Sequence, residues 1–314
     1  MNLFIFNSKL LKNSFVRSLG ITFFLLSGYH ILVVAKLVVP NEGMHQWQNN
    51  FIRVQRYAYQ GSSNSNLVLA GSSLTNTLQA SEISFNVTNL GMSGGSTQTG
   101  LEVVHKTFSK PTILLVEINE TIIIKADKQI VNSIYNPVLY YTRLHIPMLR
   151  QEYQPVGTFF ATVSYIKERL KEVIGRTAKP TDSKLVGNID PNLTEQLISQ
   201  AIEDYKTPLS NEEKKLLTHE AEYIKSQISQ IRKDGVRVIL FDIPREQRVE
   251  ATVREKQLKA LMRKLFPTNS FEWLPEPPPR HWTTYDGFHL IGSDAQDYAA
   301  FIGNQLHLKS LTVD

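Results

Sequence analysis

A serine hydroxyl is a poor nucleophile until a base takes its proton, and the base works best when a third group fixes its orientation. The chain carries residues of all three kinds. Ser73 closes a Gly71-Ser72-Ser73 turn directly after the apolar run Asn66 to Ala70. Near the other end, Tyr285-Asp286-Gly287-Phe288-His289 places an acid three residues before a histidine, so that one loop can present both. Between them, Asn89-Leu90-Gly91-Met92-Ser93-Gly94-Gly95-Ser96-Thr97 is a small-residue loop of the kind that exposes backbone N–H groups to an oxyanion. In that arrangement Ser73 attacks an acyl carbonyl, His289 takes and returns the proton, and Asp286 holds the imidazole tautomer. Taken singly, each has a structural alternative: Gly-Ser-Ser as a turn or helix cap, Asp286 as a cap, His289 as a hydrogen-bonded core residue.

These residues need a rigid frame. Asn66 to Ala70, Phe85 to Leu90, Thr112 to Ile118 and Val236 to Ile243 read as short buried strands, alternating with helical segments at Thr97 to Phe108, Glu246 to about Phe266 and Ser293 to Leu306. Continuous apolar runs of this length between helices predict an α/β fold with a parallel sheet covered on both faces. A serine just past a strand's carboxyl end then sits where open α/β sheets present functional groups.

The three blocks, in that order, resemble the SGNH (GDSL-like) hydrolase and acyltransferase superfamily. Its Gly-Asp-Ser block matches Gly71-Ser72-Ser73, its second block Asn89 to Thr97, and its Asp-x-x-His block Asp286 and His289. The resemblance places the family's oxyanion glycine on Gly94. Its third block, Gly-x-Asn-Asp, falls on Glu117-Ile118-Asn119-Glu120-Thr121, which makes Asn119 and Thr121 the candidates for the remaining oxyanion donor. The looser pattern is more similar to the membrane-linked branch, with its alginate O-acetyltransferases and teichoic acid D-alanine transfer proteins. It implies a three-layer α/β/α domain over 66–314, transfer of an acyl group, acetyl in the first instance, to a cell-surface or exported glycan, and a membrane-bound O-acyltransferase partner. A carbohydrate esterase, or a non-catalytic scaffold that binds a glycan or partner, fits the same residues.

Ser18 to Ala35 carries no formal charge, and with Lys36 snorkelling the apolar run reaches Val39 before Pro40. That is near the roughly 20 residues needed to cross a bilayer. Lys9, Lys12 and Arg17 precede it with no acidic residue, which predicts a cytoplasmic segment at 1–17, an anchor at 18–39 and the rest outside the cytoplasm. A cleaved signal peptide or a buried core helix are the rival readings. The net charge of +5 arises largely here: removing Lys9, Lys12, Arg17 and Lys36 from the 34 basic residues leaves 30 against 29 acidic ones. A nucleic-acid partner is therefore not expected. Zero cysteines exclude thiolate chemistry, no histidines show His-x-x-x-His spacing, and neither metal nor cofactor is expected.

The segment 40–65 reads as a juxtamembrane helix and loop that sets the distance from the membrane. A helical insertion at about 125–235 reads as a lid, a docking surface or an elaboration on the sheet edge. It includes a turn-rich stretch from Thr177 to Asn192 and a helix capped by Ser210 with Glu213 and stopped by Gly235. Pro267 to Arg280 holds five of the 14 prolines and predicts an extended loop delivering the last block. Arg245, His281 and Trp282 are candidate substrate contacts, against ordinary solvation or packing.

Overall fold

Five short runs of aliphatic residues form one parallel sheet, and their carboxyl ends define the face on which the functional loops gather. The computed structural model describes residues 8–43, 45–61, 66–84, 86–173 and 190–310. In chain order the elements are α1 (Ser8–Val34), α2 (Gln46–Arg56), β1 (Leu67–Gly71), α3 (Ser73–Asn76), α4 (Ala80–Ile83), β2 (Val87–Gly91), α5 (Thr97–Lys106) and β3 (Ile113–Glu117). There follow α6 (Lys128–Tyr135), α7 (Pro137–His145), α8 (Pro155–Val173), α9 (Pro191–Tyr205), α10 (Asn211–Lys233), β4 (Arg237–Phe241), α11 (Gln247–Glu250), α12 (Val253–Leu265), β5 (Glu272–Trp273) and α13 (Gly292–Ser310). The chain divides into two units, the described parts of Met1–Gly43 with Pro137–Lys179, and of Met44–Asn136 with Pro180–Asp314.

The second unit contains the sheet, in the order β2-β1-β3-β4-β5 with every pairing parallel. This is one of the common doubly wound orders, and its switch point lies between β1 and β3, where ligands of open α/β sheets bind. Every residue of β1 is buried, as a strand covered on both faces requires. Side chains alternate between two cores. Leu67, Leu69, Leu115, Ile239 and Phe241 face Leu74, Ile83 and the α13 residues Tyr298, Ala299 and Ile302. On the opposite face, Gly100 of α5 lies against Ala70 of β1, and α10 packs on α5 and β4 through a stripe that includes Ala221, Ile224 and Ile228. The α/β architecture expected from the apolar runs is the one observed.

Several boundaries differ from the sequence reading. The helix expected from Glu246 to Phe266 is broken after α11, because the Thr252 hydroxyl accepts from the Glu255 N–H and starts α12 afresh. The proline-rich stretch contributes β5, two residues paired with Ile239 and Leu240. The Ser210–Glu213 capping box forms with both reciprocal hydrogen bonds, and Gly235 adopts φ +84 at the end of α10. The juxtamembrane segment is not a spacer: α2 buries Phe51, Ile52, Val54 and Gln55 within the sheet-containing unit. The insertion is not one body either, since α7 and α8 belong to the unit of α1, whereas α9 and α10 belong to that of the sheet. Residues 62–65 and most of the turn-rich stretch, 177–189, lie outside the described residues.

In the first unit, Asn13–Val34 of α1 is long and apolar enough to cross a membrane, with 6% of its most apolar window buried. The helix stops at Val34 rather than running to Val39. Lys36 takes the left-handed conformation (φ 56), and the Leu37 N–H reaches back to Leu32 O while the Lys36 N–H reaches Val33 O. This pair of bonds is the Schellman closure, more often built on glycine, and it satisfies carbonyls that an apolar environment would otherwise leave unpaired.

The contact between α5 and β1 has no room for a side chain. A Cβ on Gly100 would stand 2.7 Å from Ala70 Cβ and 3.1 Å from its Cα. Gly100→Ala should lower stability by about 1–3 kcal/mol through overpacking, outweighing its better helix propensity, as read by thermal unfolding.

Candidate active site

The Gly71-Ser72-Ser73 turn is built from Ser72 rather than from Ser73. Ser72 is the N-cap of α3, its Oγ accepting from the Leu74 N–H at 3.2 Å. Its own N–H donates to Glu117 Oε2 at 2.7 Å and its hydroxyl to Glu117 Oε1 at 2.9 Å. Thr75, one turn along, donates to the same carboxylate at 2.5 Å, and the Asn119 amide donates to it from the other side. Glu117, 1% exposed at the end of β3, thus satisfies four donors at once. Gly71 is required beside it, since a Cβ there would lie 2.3 Å from Glu117 Oε2 and 2.0 Å from Thr75 Oγ1. Ser73 is left half-buried at the first residue of α3, where its N–H has no intrahelical partner.

The structure brings Ser73, His289 and Asp286 together. Ser73 Oγ stands 2.8 Å from His289 Nε2, and His289 Nδ1 stands 2.7 Å from Asp286 Oδ2, across 216 residues of chain. Asp286 Oδ1 accepts from the N–H groups of Phe288 (3.0 Å) and His289 (2.9 Å). Burial raises the Asp286 carboxyl, but the hydrogen bond and charge of His289, with these two backbone donors, outweigh it and hold the group below the ordinary aspartate value. An ionised Asp286 favours the His289 tautomer with its proton on Nδ1, which leaves Nε2 to accept from Ser73. Tyr285 stacks on the imidazole, with ring centroids 5.1 Å apart and planes at 23°.

The loop carrying His289 is braced from behind. Gly287 (φ +94) turns it, the Glu246 N–H donates to Gly287 O at 3.0 Å, and Phe288 lies against Tyr205 (5.0 Å) and beneath the Arg245 guanidinium (5.6 Å). Arg245 is buried and ion-paired with Glu120 (2.8 Å), Glu255 (3.0 Å) and, more distantly, Asp242 (3.9 Å). It is therefore not a free substrate contact, because its charge is already spent on three carboxylates and the underside of the loop that carries His289. One guanidinium cannot neutralise all three. Burial, with Glu255 beside it and only Arg245 and Lys259 opposing, pushes the Asp242 carboxyl up to about 7.

The second loop is clasped to the first. Asn89 donates to Thr75 O (2.7 Å) and Leu78 O (2.9 Å) while accepting from the Gly91 N–H (2.7 Å), and Met92 N–H donates to Gly71 O (3.0 Å). Gly94 occupies the Met92–Gly95 turn at φ +67, a conformation that favours glycine, and is exposed. From α2, Asn50 exchanges two hydrogen bonds with the Ser93 backbone (2.9 and 3.0 Å) and Arg53 donates to Asn89 O (3.1 Å). Residues before β1 therefore hold this loop. Nothing in the sequence of α2 beyond its apolar stripe signalled that role.

The remaining candidates are placed otherwise than expected. The Asn119 amide is committed to Glu117, and its oxygen accepts from Thr121 N–H (2.8 Å) and Oγ (2.6 Å). Both side chains thus close the turn after β3 instead of pointing a free donor at an oxyanion. Trp282 is 6% exposed and packs edge-on against Tyr298 (5.9 Å), with Arg280 stacked 4.0 Å from its ring, so it is a core residue. His281 is exposed and lines a cleft of about 610 Å³ at the ends of β4 and β5, with Asp242, Lys259 and Trp273; Ser73, Asp286 and His289 do not line it. Gly94 lines another, of about 400 Å³, with Gln46, Trp47, Asn50 and Lys125.

Two substitutions test this construction. Glu117→Ala should destabilise the protein by at least about 2 kcal/mol in denaturant unfolding, since each buried donor left unpaired costs about 1–3 kcal/mol. Asp242 has a folded value raised above its unfolded 3.8, so the stability it contributes is full below that value and lost as pH rises toward about 7. The stability of Asp242→Asn relative to the parent should accordingly climb across that interval, as read by unfolding midpoints at successive pH values.

Comparison of the chain with protein-family models, curated proteins and solved structures returned no match.

Proposed function

We propose that the chain is a membrane-anchored serine acyltransferase that works outside the cytoplasm and moves an acyl group, acetyl in the first instance, onto a hydroxyl of a cell-surface or exported polysaccharide. The observation that carries this reading is the hydrogen-bonded series Ser73 Oγ, His289 and Asp286, at 2.8 and 2.7 Å. In the first half-reaction His289 Nε2 takes the Ser73 proton as Oγ bonds to the acyl carbon. The resulting oxyanion is received by the backbone N–H groups of Ser73 and Gly94, each such donor contributing on the order of 3 kcal/mol. The tetrahedral species collapses, the carbon–donor bond breaks, and imidazolium His289 returns the proton to the departing group. In the second half-reaction His289 deprotonates the glycan hydroxyl, whose oxygen attacks acyl-Ser73 and releases the serine with its proton restored.

Support for the wider reading comes from the order of the blocks along the sheet. The turn after β1, the loop after β2 and the Asp-x-x-His segment before α13 carry the residues that resemble the SGNH superfamily. Lys9, Lys12 and Arg17 before the apolar stretch favour a cytoplasmic amino terminus. An anchor favours a transferase that takes its acyl group at the membrane, and resemblance to the membrane-linked branch makes a membrane-bound O-acyltransferase the partner that supplies it.

The test is intact-protein mass spectrometry of the full chain in detergent micelles after incubation with an activated acetyl ester. An acetyl adduct should form, vanish in Ser73→Ala, and discharge onto an added polysaccharide. Steady release of acetate with no acceptor present would mark an esterase, and absence of both adduct and acetate with the activated ester would favour the non-catalytic scaffold.

A further inference from the structure

Helix α8 is amphipathic in the reverse of the sense a water-soluble protein uses. Its small and polar side is the one that meets protein. Gly157 fits so closely against Asn41 that a Cβ would lie 2.4 Å from the Asn41 amide nitrogen, Thr158 is buried, and the Thr162 hydroxyl accepts from the Val39 N–H at 3.0 Å. Val156, Phe159, Phe160, Val163 and Ile166 recur at helical spacing on the opposite side and are 68, 64, 62, 47 and 51% exposed. A surface helix in water shows its polar face outward and its apolar face inward.

The position of this face within its unit names what covers it. Tyr29 in α1 donates its hydroxyl to Tyr153 O at 2.6 Å, two residues before α8 begins, and the Asn41 N–H donates to Glu152 O at 2.7 Å. Tyr29 lies five residues before the end of α1, about 7 Å below it at 1.5 Å per residue. The start of α8 is thus tied to a point inside the apolar span of α1, a depth that matches the roughly 5–10 Å to which interfacial helices bury their apolar faces. Lys167 follows Ile166 on the same side, with a stem long enough to carry its ammonium to water.

We infer that α8 is an in-plane membrane helix, seated in the lipid interface on the side where α1 ends, with Val156, Phe159, Phe160, Val163 and Ile166 facing acyl chains. The inference rests on α1 spanning the bilayer, as proposed above, and extends it from a single anchor to an anchor with a lateral foot. The foot restricts rotation about the axis of α1, because a second element of the same unit shares the interface.

The chain has no cysteine, so single labels can be placed without background. The full chain would be reconstituted in vesicles of phosphatidylcholine and phosphatidylglycerol carrying a bimane label at Phe160→Cys, at Phe23→Cys in the middle of α1, or at Leu216→Cys, an exposed position on α10. Quenching by lipids bearing a nitroxide near the headgroup would be compared with quenching by aqueous iodide. The Phe160 label should be quenched several-fold more by the lipid nitroxide than by iodide, with the Leu216 label behaving in reverse. Iodide quenching of the Phe160 label equal to that at Leu216, with the Phe23 label still protected, would overturn the foot and leave the anchor standing. Protection of the Phe160 label from both quenchers would assign the face to a protein partner and also overturn it. Iodide access to the Phe23 label would remove the anchor and the foot together.

Discussion

A single buried carboxylate sets the direction in which Ser73 leaves the sheet. Glu117 leaves β3 at 1% exposure and takes hydrogen bonds from the Ser72 backbone, the Ser72 hydroxyl, Thr75 and Asn119. Burying a carboxylate is costly unless its lone pairs are filled, and here four donors fill them. The same bonds orient the first turn of α3, so Ser73 is aimed by a neighbour that is itself immobilised. In the resembling family the acid of the Gly-Asp-Ser block stands at the position of Ser72; here that position donates, and the carboxylate arrives from the adjacent strand.

The segment after β3 also governs the base. Three residues beyond Glu117, Glu120 pairs with Arg245, whose guanidinium lies over Phe288 in the loop that carries Asp286 and His289. Asn119 joins the two halves, donating to Glu117 and accepting from Thr121. Ser73 and His289 are separated by 216 residues, yet both register on the same five-residue stretch, Glu117 to Thr121. Its side chains brace the Ser73 turn and the Asp286–His289 loop, and the Asn119 amide is held by Glu117. The backbone N–H groups beside Ser73 are directed by α3 and by the Met92–Gly95 turn.

Fold class was legible because buried parallel strands must be continuous apolar runs, and β1, β3 and β4 are such runs. The grouping of Ser73, Asp286 and His289 was legible because an acid three residues from a histidine is a local pattern, and Gly-Ser-Ser after a strand is another. What could not be read was the pairing of buried polar groups at long range. Arg245 follows a strand and resembles a substrate contact until Glu120 and Glu255 are seen around it; Trp282 follows a histidine near the site and resembles a sugar platform until Tyr298 is seen beneath it. Glu117 lies in a strand pattern that accommodates either a buried or a surface carboxylate, and only the donors on α3 decide between them.

The same blindness applied to the segment between the anchor and β1. Read alone, 40–65 is polar and aromatic and passes for a spacer. In the fold, its helix α2 buries Phe51, Ile52 and Val54, and through Asn50 and Arg53 it holds Ser93 and Asn89 in the loop that carries Gly94. Arg53 illustrates the cost of this arrangement: burial, with Arg56 nearby, pulls its guanidinium down to about 10. A half-buried charge retained against that penalty, with a backbone carbonyl among its partners, is explained by what it positions. The amino-terminal boundary of the sheet-containing unit therefore lies before Gln46 and not at β1. The helix that follows α1 in sequence is part of what fixes the loop carrying Gly94.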